Sequence, residues 1–567
     1  MRVVDHIVAE LARTGVDRVF GVGGANIEDL YDAVHRSGGA VQALVAKHEF
    51  AAATMADGYA RATGRMGVVA ATSGGGAMNL LPGLAEAHAS RIPVLALVGQ
   101  PPIGLEGRGA FQDTSGKAGS FDAREVFAPL SRFCAKVSTA GSIVDLLPQA
   151  MAAARSHPRG PAVLLLPKDV QQAAAPAPAA GVPLPEAADP VDPDLLNRVI
   201  AALRTADRVL IIAGEGVAAD DVRTEVADLA ARLGAWVAVT PDAKDVYDNR
   251  SPRFVGVAGV MGHPSVVDCL RQADVCLLVG TRLPVMARGG LDDALAGTLV
   301  IGVDPEPPFV QAVTVPGPVR RTLDAVLERL DPRPRRCADH AGPVPLPAQP
   351  HRGPGTSYAD AVAAVAGALP DDAHVFVDAG NAAAAAIHLL PAPRRGRFVV
   401  AVGMGGMGYT FGAGIGAALG SGRRTYVLAG DGAFLMHGME VHTAVEYDAC
   451  VTFVVFNNNA HGMCVTREQL YYSGRYSYNM FRTTDIAAGV GAAFPTLDVT
   501  RADDAGQLHQ ALLRSNARPG PAFVCLDFDP REIPPFLPFL AALGRDGTDP
   551  TAHHKEASDE RRQVHAG

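Results

Sequence analysis

Short apolar runs alternate with amphipathic or alanine-rich segments along most of the chain. In the first third these runs read VDRVFGV, VQALVA, MGVVAAT, IPVLALVG and PAVLLLP. The alternation returns in the middle, with RVLIIAGEG, AWVAVT, VCLLVG and TLVIGVD, and near the end, with HVFVDAGN, RTYVLAGDG, CVTFVVFNNN and AFVCLDFD. Wholly apolar runs separated by helical segments are typical of parallel strands covered by helices on both faces. The pattern predicts an α/β protein of three consecutive doubly wound parallel-sheet domains.

Two proline-rich connectors and a polar tail divide the chain. The stretches QQAAAPAPAAGVPLPEAADPVDP and DPRPRRCADHAGPVPLPAQPHRGPG have the composition of linkers. We therefore expect domains at residues 1–170, 190–335 and 355–540. Residues 541–567 are polar and are predicted to form a disordered tail.

Composition narrows the functional class. The 567 residues exceed what one hydrophobic core supports, and 48% of them are hydrophobic. A net charge of −9 argues against a nucleic-acid-binding surface. The seven cysteines are scattered without a CxxC spacing, which favours reduced thiols over disulfides or zinc. With neither a signal core nor an apolar run of membrane length, a soluble cytoplasmic protein is expected.

Polar residues follow two of the apolar runs near the end of the chain. Gly430-Asp431-Gly432 is separated by 24 residues from Asn457-Asn458. Parallel strands end at one edge of a sheet, where open α/β folds bind ligands, so Asp431 and Asn458 are expected to be neighbours. Glycines allow backbone N–H groups to approach a diphosphate, and carboxylate and amide oxygens suit Mg²⁺. An ordinary Asp-Gly turn is the alternative.

A carboxylate stands where the second apolar run gives way to a helix. Glu49 follows Ala43–Ala46 and opens the alanine-rich segment EFAAATMADGYARATGR. An acidic residue in the first turn of a helix is stabilised by the helix dipole, which is one explanation. The other is chemical, because a carboxylate held away from water can exchange a proton near neutral pH.

These motifs together resemble those of thiamine diphosphate (ThDP)-dependent enzymes of the acetolactate synthase-like branch. GDG-x24-NN, KHEFAAATMADGYARATGR, GAFQD, GMGGMGYTFGAGIGAALG and GPAFVCLDFDPREIPP occur in the family order over most of the chain. The resemblance implies the ThDP-binding fold, with an N-terminal pyrimidine-binding domain, a central Rossmann-like domain and a C-terminal diphosphate-binding domain. It also implies a homodimer or homotetramer whose active sites lie between subunits.

The resemblance assigns roles to individual residues. Glu49 would contact a ring nitrogen of the aminopyrimidine and help to remove the thiazolium proton, and Met407 would wedge the cofactor into a bent shape. Asp431, Asn458 and the carbonyl of Ala460 would hold Mg²⁺. The other candidates for cofactor binding are Asn381, Gly405, Gly430, Gly432, Ala433 and Met463, with Asn458 shared between metal and cofactor. Many relatives have serine at the position of Ala433, so one hydroxyl contact is absent here.

The resemblance also favours carbon–carbon bond formation over simple decarboxylation. Simple decarboxylases of the family tend to have pocket histidines that handle a proton, whereas Thr72 and Ser73 stand at such a position here. Gln112, beside Phe111, matches a glutamine that lines the reacting centre in carboligases. Gly24 takes the place of a small residue whose N–H borders the acceptor. Structural roles are expected for the histidines near the diphosphate and metal segments: His437, His442 and His461.

Two departures from the family leave questions open. Where acetolactate synthases have the tryptophan that selects the acceptor, the resemblance places Arg467, which could bind an acidic acceptor or lie on the surface. The middle block resembles the FAD-binding domain of the family only loosely, since its AGEG is a lone G-x-G. Some relatives keep a non-redox FAD and others have lost it, so both states remain open for this chain.

We therefore expect a ThDP- and Mg²⁺-dependent acyl transferase or lyase. It would decarboxylate a 2-oxo acid, pyruvate being the first candidate, and transfer the acyl unit to a second carbonyl compound. The alternatives are a 2-oxo acid decarboxylase that releases an aldehyde, a flavin-dependent oxidation, and a protein that senses ThDP without turnover.

Overall fold

Three six-stranded parallel sheets follow one another along the chain in a computed structural model. The structure describes residues 1–176, 191–347, 349, 351, 353 and 355–545. Most of the first predicted linker and residues 546–567 of the predicted tail lie outside this range. The three-sheet α/β architecture predicted from the sequence pattern is confirmed.

The first sheet is built from residues before the first linker. Its strands are β1 (Arg18–Gly21), β2 (Gln42–Val45), β3 (Gly67–Ala71), β4 (Val94–Gln100), β5 (Phe133–Lys136) and β6 (Ala162–Pro167). Its helices are α1 (Val3–Arg13), α2 (Glu28–Arg36), α3 (Glu49–Thr63), α4 (Gly75–Asn79), α5 (Leu81–Ala89), α6 (Ala123–Phe127), α7 (Ile143–Arg155) and α8 (Lys168–Gln172). The strand order is β2-β1-β3-β4-β6-β5.

The central sheet is also built from six parallel strands and the helices between them, but its strand order is different. Its strands are β7 (Val209–Ala213), β8 (Trp236–Val239), β9 (Phe254–Val257), β10 (Val275–Val279), β11 (Leu299–Val303) and β12 (Val313–Val315). Its helices are α9 (Pro193–Thr205), α10 (Glu215–Ala219), α11 (Arg223–Leu233), α12 (Pro264–Gln272), α13 (Val285–Arg288), α14 (Asp292–Ala296) and α15 (Val319–Leu327). The strand order is β12-β11-β10-β7-β8-β9.

The third sheet has the same order pattern as the first. Its strands are β13 (His374–Val377), β14 (Phe398–Val400), β15 (Thr425–Gly430), β16 (Val451–Asn457), β17 (Asp498–Ala502) and β18 (Ala522–Asp527), ordered β14-β13-β15-β16-β18-β17. Its helices are α16 (Tyr358–Ala368), α17 (Asn381–Leu389), α18 (Tyr409–Ser421), α19 (Asp431–His437), α20 (Val441–Glu446), α21 (Gly462–Tyr472), α22 (Ile486–Ala493), α23 (Ala505–Asn516) and α24 (Leu537–Arg545). Residues 541–545 are therefore helical, whereas the sequence analysis assigned them to the tail.

Within the described ranges, no helix is both long and apolar enough to cross a membrane. All seven cysteines are free thiols, as expected from their spacing.

Helices α3 and α18 pack so closely that their backbones touch. A Cβ atom at Gly58 would overlap the carbonyl oxygen of Ala413, and one at Gly416 would overlap that of Met55. A Cβ at Gly412 would lie 2.5 Å from the carbonyl oxygen of Ala51. Glycine is required at these positions because any side chain would push the helices apart. The contact joins the first sheet to the third.

Buried charges connect all three sheets through the inter-sheet ion network, which we define as Asp57, Arg61, Glu215, Asp245 and Arg397. Arg397, just before β14, donates to Asp245 (2.8 Å) and to both oxygens of Glu215 (2.7 and 2.8 Å). Arg61 on α3 donates to Asp57 (2.6 Å), and its carbonyl accepts from Arg397 (2.6 Å). Burying a guanidinium group without such partners costs about 3–5 kcal/mol of folding free energy. The position of each sheet therefore depends on charged side chains of the other two.

The close helix packing can be tested by adding one methyl group. Gly58→Ala is expected to lower the free energy of unfolding by about 1–3 kcal/mol, because the methyl group displaces α18. Gly489→Ala on α22 is the matched control, since that position is exposed and has open space around it. Alanine there should raise the free energy of unfolding by at most about 1 kcal/mol. Urea unfolding followed by circular dichroism measures both variants; a Gly58→Ala protein as stable as the wild type would contradict the packing.

Candidate active site

The catalytic candidate Glu49 is the first residue of α3. The helix starts here because His48 caps it, with Nδ1 accepting the N–H of Phe50 (3.1 Å). The half-buried carboxylate of Glu49 accepts a hydrogen bond from Asn79 Nδ2 (2.9 Å) at the end of α4. A Cβ at Gly76 would lie 2.9 Å from the other carboxylate oxygen, so the α4 backbone closes over Glu49. The carboxylate is held in one orientation by a neutral amide.

Thr72 lies at the centre of the other N-terminal candidates. Its side chain approaches Gly24 so closely that a Cβ there would lie 2.7 Å from Thr72 Cβ. Its hydroxyl donates to Gln112 Oε1 (3.3 Å), and the hydroxyl of Ser73 lies 3.5 Å from the same oxygen. A Cβ at Gly76, beside Glu49, would also meet Thr72 Cγ2 at 2.9 Å. Gln112 and Gly24 therefore lie against Thr72, and Gly76 lies between Thr72 and Glu49. We call Gly24, Glu49, Thr72 and Gln112 the N-terminal half-site.

The backbone of Gln112 adopts a strained conformation. Its φ of 59° lies in the left-handed region that non-glycine residues seldom adopt. A Cβ at Gly74 would lie 2.9 Å from the Gln112 side chain, so that glycine makes room for the amide. Phe111, the other candidate in this loop, has 75% of its surface exposed. The two neighbours thus point an amide inward and an aromatic ring outward.

The second group of candidates lies at the carboxyl edge of the third sheet. Asp431 follows β15 and Asn458 follows the adjacent β16. The N–H of Ala460 donates to Asp431 Oδ2 (3.0 Å), which joins the two turns. Asn381 begins α17, and a Cβ at Gly462 would lie 2.6 Å from Asn458 Nδ2 and 3.1 Å from Asn381 Nδ2. These residues form the C-terminal half-site.

Unpaired buried oxygens in the C-terminal half-site suit a cation. The side-chain oxygens of Asn381 and Asn458 are buried without a hydrogen-bond partner. Burial raises the pKa of Asp431 to about 6, as for a carboxylate that lacks a counter-charge. Among the described residues, no three His, Cys, Asp or Glu side chains cluster to bind a metal by themselves. A hard ion such as Mg²⁺ fits this donor set when phosphate oxygens complete its coordination.

The glycine-rich loop of residues 403–408 faces this edge. Gly405 has a φ of +64°, and the methyl group of Met407 lies 3.1 Å from where a Cβ at Gly432 would be. The same Cβ would lie 2.6 Å from His461 Nδ1, which is buried and unpaired. Met407 and His461 can both lie this close to residue 432 only because it is a glycine and has no Cβ atom.

Two buried carboxylates that the sequence analysis did not identify hold this loop. Asp378, after β13, accepts from the N–H of Gly408 (2.9 Å) and the hydroxyl of Thr410 (2.7 Å). Glu86, on α5 of the first sheet, accepts from the N–H groups of Gly403 (3.2 Å) and Met404 (2.6 Å). The strand-end position of Asp378 was a usable signal, whereas nothing in the local sequence marks Glu86.

A third unpredicted residue supports Asn381 from the far end of its helix. Lys244 Nζ is buried and donates to the carbonyls of Ala386 (3.2 Å), Ile387 (2.5 Å) and Leu390 at the end of α17. Burial lowers the pKa of Lys244 to about 7. A cation is favoured at a helix C-terminus, so this contact fixes α17.

The remaining candidates lie along the same loops and helices. Gly430 has open space at its Cβ position, and Ala433 is fully buried in α19. Met463 is half-buried in the first turn of α21. Arg467 is exposed further along that helix, so its proposed contact with an acceptor stays a prediction. His437 packs against Phe50 and His48, and burial lowers its pKa to about 4.

Comparison with protein families identifies matches in all three sheets. The N-terminal TPP (thiamine pyrophosphate) binding domain of thiamine pyrophosphate enzymes matches residues 1–119. The central domain of the same enzymes matches residues 196–330, and their C-terminal TPP binding domain matches residues 378–526.

Individual relatives agree with these matches. The chain is 30% identical to the acetolactate synthase large subunit of Parasynechococcus marenigrum over 82% of this chain and 78% of that protein. It is 29% identical to the acetolactate synthase of Arthrospira platensis over 83% and 84% of the two chains. The fold is similar to that of a Rhodococcus jostii ThDP-dependent 4-hydroxybenzoylformate decarboxylase, with a TM-score of 0.78, 23% identity, and coverage of 93% and 99%. The chain therefore belongs to the thiamine diphosphate-dependent enzymes and is acetolactate synthase-like.

Proposed function

We propose that this ThDP-dependent enzyme is a carboligase that requires Mg²⁺. It decarboxylates a 2-oxo acid, with pyruvate as the first candidate, and transfers the acyl unit to a carbonyl carbon of a second substrate. The proposal rests on the acetolactate synthase-like relatives and on one observation in the N-terminal half-site. That observation is the amide of Gln112, whose Oε1 accepts from the hydroxyls of Thr72 (3.3 Å) and Ser73 (3.5 Å).

The C-terminal half-site would hold the cofactor. Asp431, Asn458 and the Ala460 carbonyl would bind Mg²⁺, and Asn381 with the backbone at Gly430 and Gly432 would bind the diphosphate. When bound, ThDP supplies the electron sink that permits loss of CO2 from a 2-oxo acid. Gly405 and Met407 would border its pyrimidine ring.

Glu49 would act as the proton carrier of the site. Its carboxylate would share a proton with a ring nitrogen of the cofactor, and the hydrogen bond from Asn79 keeps one oxygen directed (2.9 Å). Asn79 is a neutral amide that orients this carboxylate. Asn79 would be a positioning residue.

The surroundings of Gln112 favour carbon–carbon bond formation. The NH2 group of the Gln112 amide can donate to a substrate carbonyl, while the two hydroxyls donate to the amide oxygen; none of these groups is a strong acid at neutral pH. Among the hydrogen-bond partners that the structure describes for Gln112 there is no imidazole. His437 is neutral at pH 7 because its pKa lies near 4. Capture of the acyl unit by a carbonyl carbon would therefore compete well with capture by a proton.

A 2-oxo acid decarboxylase is the second candidate, and one observation favours it. His461 Nδ1 is buried without a partner beside Gly432 and Met407, where it could deliver a proton. Release of an aldehyde would then replace ligation.

The enzyme would work as a homodimer or homotetramer with active sites between subunits. Exposed apolar side chains beside both half-sites support this, since large apolar patches on a monomer are unusual. They are Phe111 (75% exposed), Met404 (60%), Met436 (50%) and Met439 (59%).

The role of Glu49 can be tested by removing its charge. Glu49→Gln is expected to lower kcat at least about 100-fold, because the amide cannot carry the proton. The affinity for ThDP, measured by isothermal titration calorimetry, should remain within error of that of the wild type. Glu125→Gln, on an exposed turn of α6, is the matched control and should keep full activity. Normal turnover by the Glu49 variant would refute the assignment.

Gln112 can be tested through the distribution of products. Gln112→Ala keeps the strained backbone but removes the amide, so we expect the ratio of ligated product to aldehyde to fall about tenfold, as for the loss of one good hydrogen bond. Mass spectrometry of products formed from pyruvate with ThDP and Mg²⁺ gives this ratio. An unchanged ratio would show that Gln112 does not direct the acyl unit.

A further inference from the structure

The first strand–helix turn of the central sheet is where a dinucleotide such as FAD would be expected. Open α/β sheets bind ligands at the carboxyl ends of their strands, and the turn after the first strand usually holds the diphosphate. Here β7 ends at Ala213 and Gly214-Glu215-Gly216 spans the start of α10. In a dinucleotide site a glycine of this turn lets the backbone approach the diphosphate.

The two glycines face the protein instead. A Cβ at Gly214 would lie 2.5 Å from Thr281 Cβ, and one at Gly216 would lie 2.7 Å from the Cα of Gly280. Both contacts belong to the neighbouring turn after β10. The absence of side chains lets two turns of the same sheet pack together. The N–H groups of Gly214 and Gly216 donate to the carbonyls of Val279 and Gly280 (both 2.9 Å), so they are not free to bind a diphosphate.

The same edge carries four carboxyl groups, which we call the acidic edge: Glu215, Asp242, Asp245 and Asp304. They follow β7, β8 and β11. Burial raises the pKa values of Asp242 and Asp304, whereas Asp245, also buried, has its pKa lowered by Arg397 and Arg223. Negative charge at this edge is therefore stabilised only where an arginine pairs with it. A diphosphate would add charge of the same sign in a region of low dielectric constant.

Arginines from the other two sheets occupy the acidic edge. Arg397 pairs with Glu215 (2.7 Å) and Asp245 (2.8 Å). Arg61 Nη1 lies 3.9 Å from Glu215. Arg91, in the turn before β4, pairs with the fully buried Asp304 (2.7 Å). An acidic residue on a later strand of a dinucleotide fold would otherwise be available to a ribose hydroxyl.

We infer that the acidic edge is a docking surface for arginines of the first and third sheets and that the chain binds no FAD. The contacts fix the three sheets relative to one another, as a bound dinucleotide between them would. This inference concerns the central sheet and stands apart from the reaction proposed above.

The cavity next to this edge does not restore a flavin site. Its volume is about 490 Å³, and its walls include Arg159, Arg223, Arg320 and Arg397. Each of these arginines already pairs with a carboxylate, respectively Asp220, Asp245, Glu225 and Glu215. A diphosphate entering the cavity would therefore compete with those carboxylates for the guanidinium groups.

The flavin content of the purified full-length enzyme tests the inference. We expect acid-released flavin to be absent by fluorescence, and added FAD to change neither the melting temperature nor the rate of 2-oxo acid consumption. Stoichiometric flavin, or a rise in melting temperature with added FAD, would overturn it. Flavin content and melting temperature can be measured without substrate. Bound flavin would therefore overturn this inference without affecting the proposed reaction, and a failure of the proposed reaction would leave this inference standing.

Two variants test whether the arginines depend on the acidic edge. Glu215→Gln and Asp304→Asn should each lower the melting temperature by at least about 3 °C, because the first leaves the buried Arg397 short of a carboxylate and the second removes the fully buried partner of Arg91. Glu28→Gln is the control, since Glu28 is 67% exposed and 3.7 Å from Lys168. Melting temperatures of both variants equal to that of the wild type would contradict the docking role. If one variant is insoluble, the melting temperature of the other variant and the flavin content of the wild type still test the inference.

Discussion

The burial of Arg61 and Arg397 between three sheets is the constraint on which the rest of the structure depends. Their carboxylate partners come from two of the sheets, with Asp57 in the first and Glu215 and Asp245 in the central one. No sheet can rotate away without leaving a buried charge unpaired, which is far more costly than the loss of a surface ion pair. The central sheet thereby has a structural task at the edge where related folds bind a dinucleotide.

The same arrangement positions both half-sites. Helix α3 begins at Glu49 and carries Arg61, while α18 begins just after Met407 and packs on α3 through glycines. Glu86 extends the connection, because a side chain of the first sheet fixes backbone N–H groups of the loop that carries Met407. Lys244 does the equivalent for the helix that begins at Asn381. Residues remote from the chemistry therefore determine where the candidate residues stand.

The sequence predicts the inner strands well because each is covered on both faces and reads as a continuous apolar run. It misses five of the edge strands that the structure describes: β5, β12 and β17 are partly exposed, and the buried β9 and β14 have only four and three residues. Candidates at strand ends, such as Asp431, can be proposed from the pattern because strand ends share one sheet edge. Asn79 and Glu86 could not, since their partners are distant in sequence and only tertiary packing brings them together.

We propose that the acyl unit of a 2-oxo acid passes to a carbonyl carbon. The most direct test incubates the purified enzyme with pyruvate, ThDP and Mg²⁺ and identifies the products by mass spectrometry, with chelated Mg²⁺ as a control. We expect acetolactate or another ligated product that requires the metal. Acetaldehyde as the sole product would contradict the carboligase and establish the decarboxylase instead.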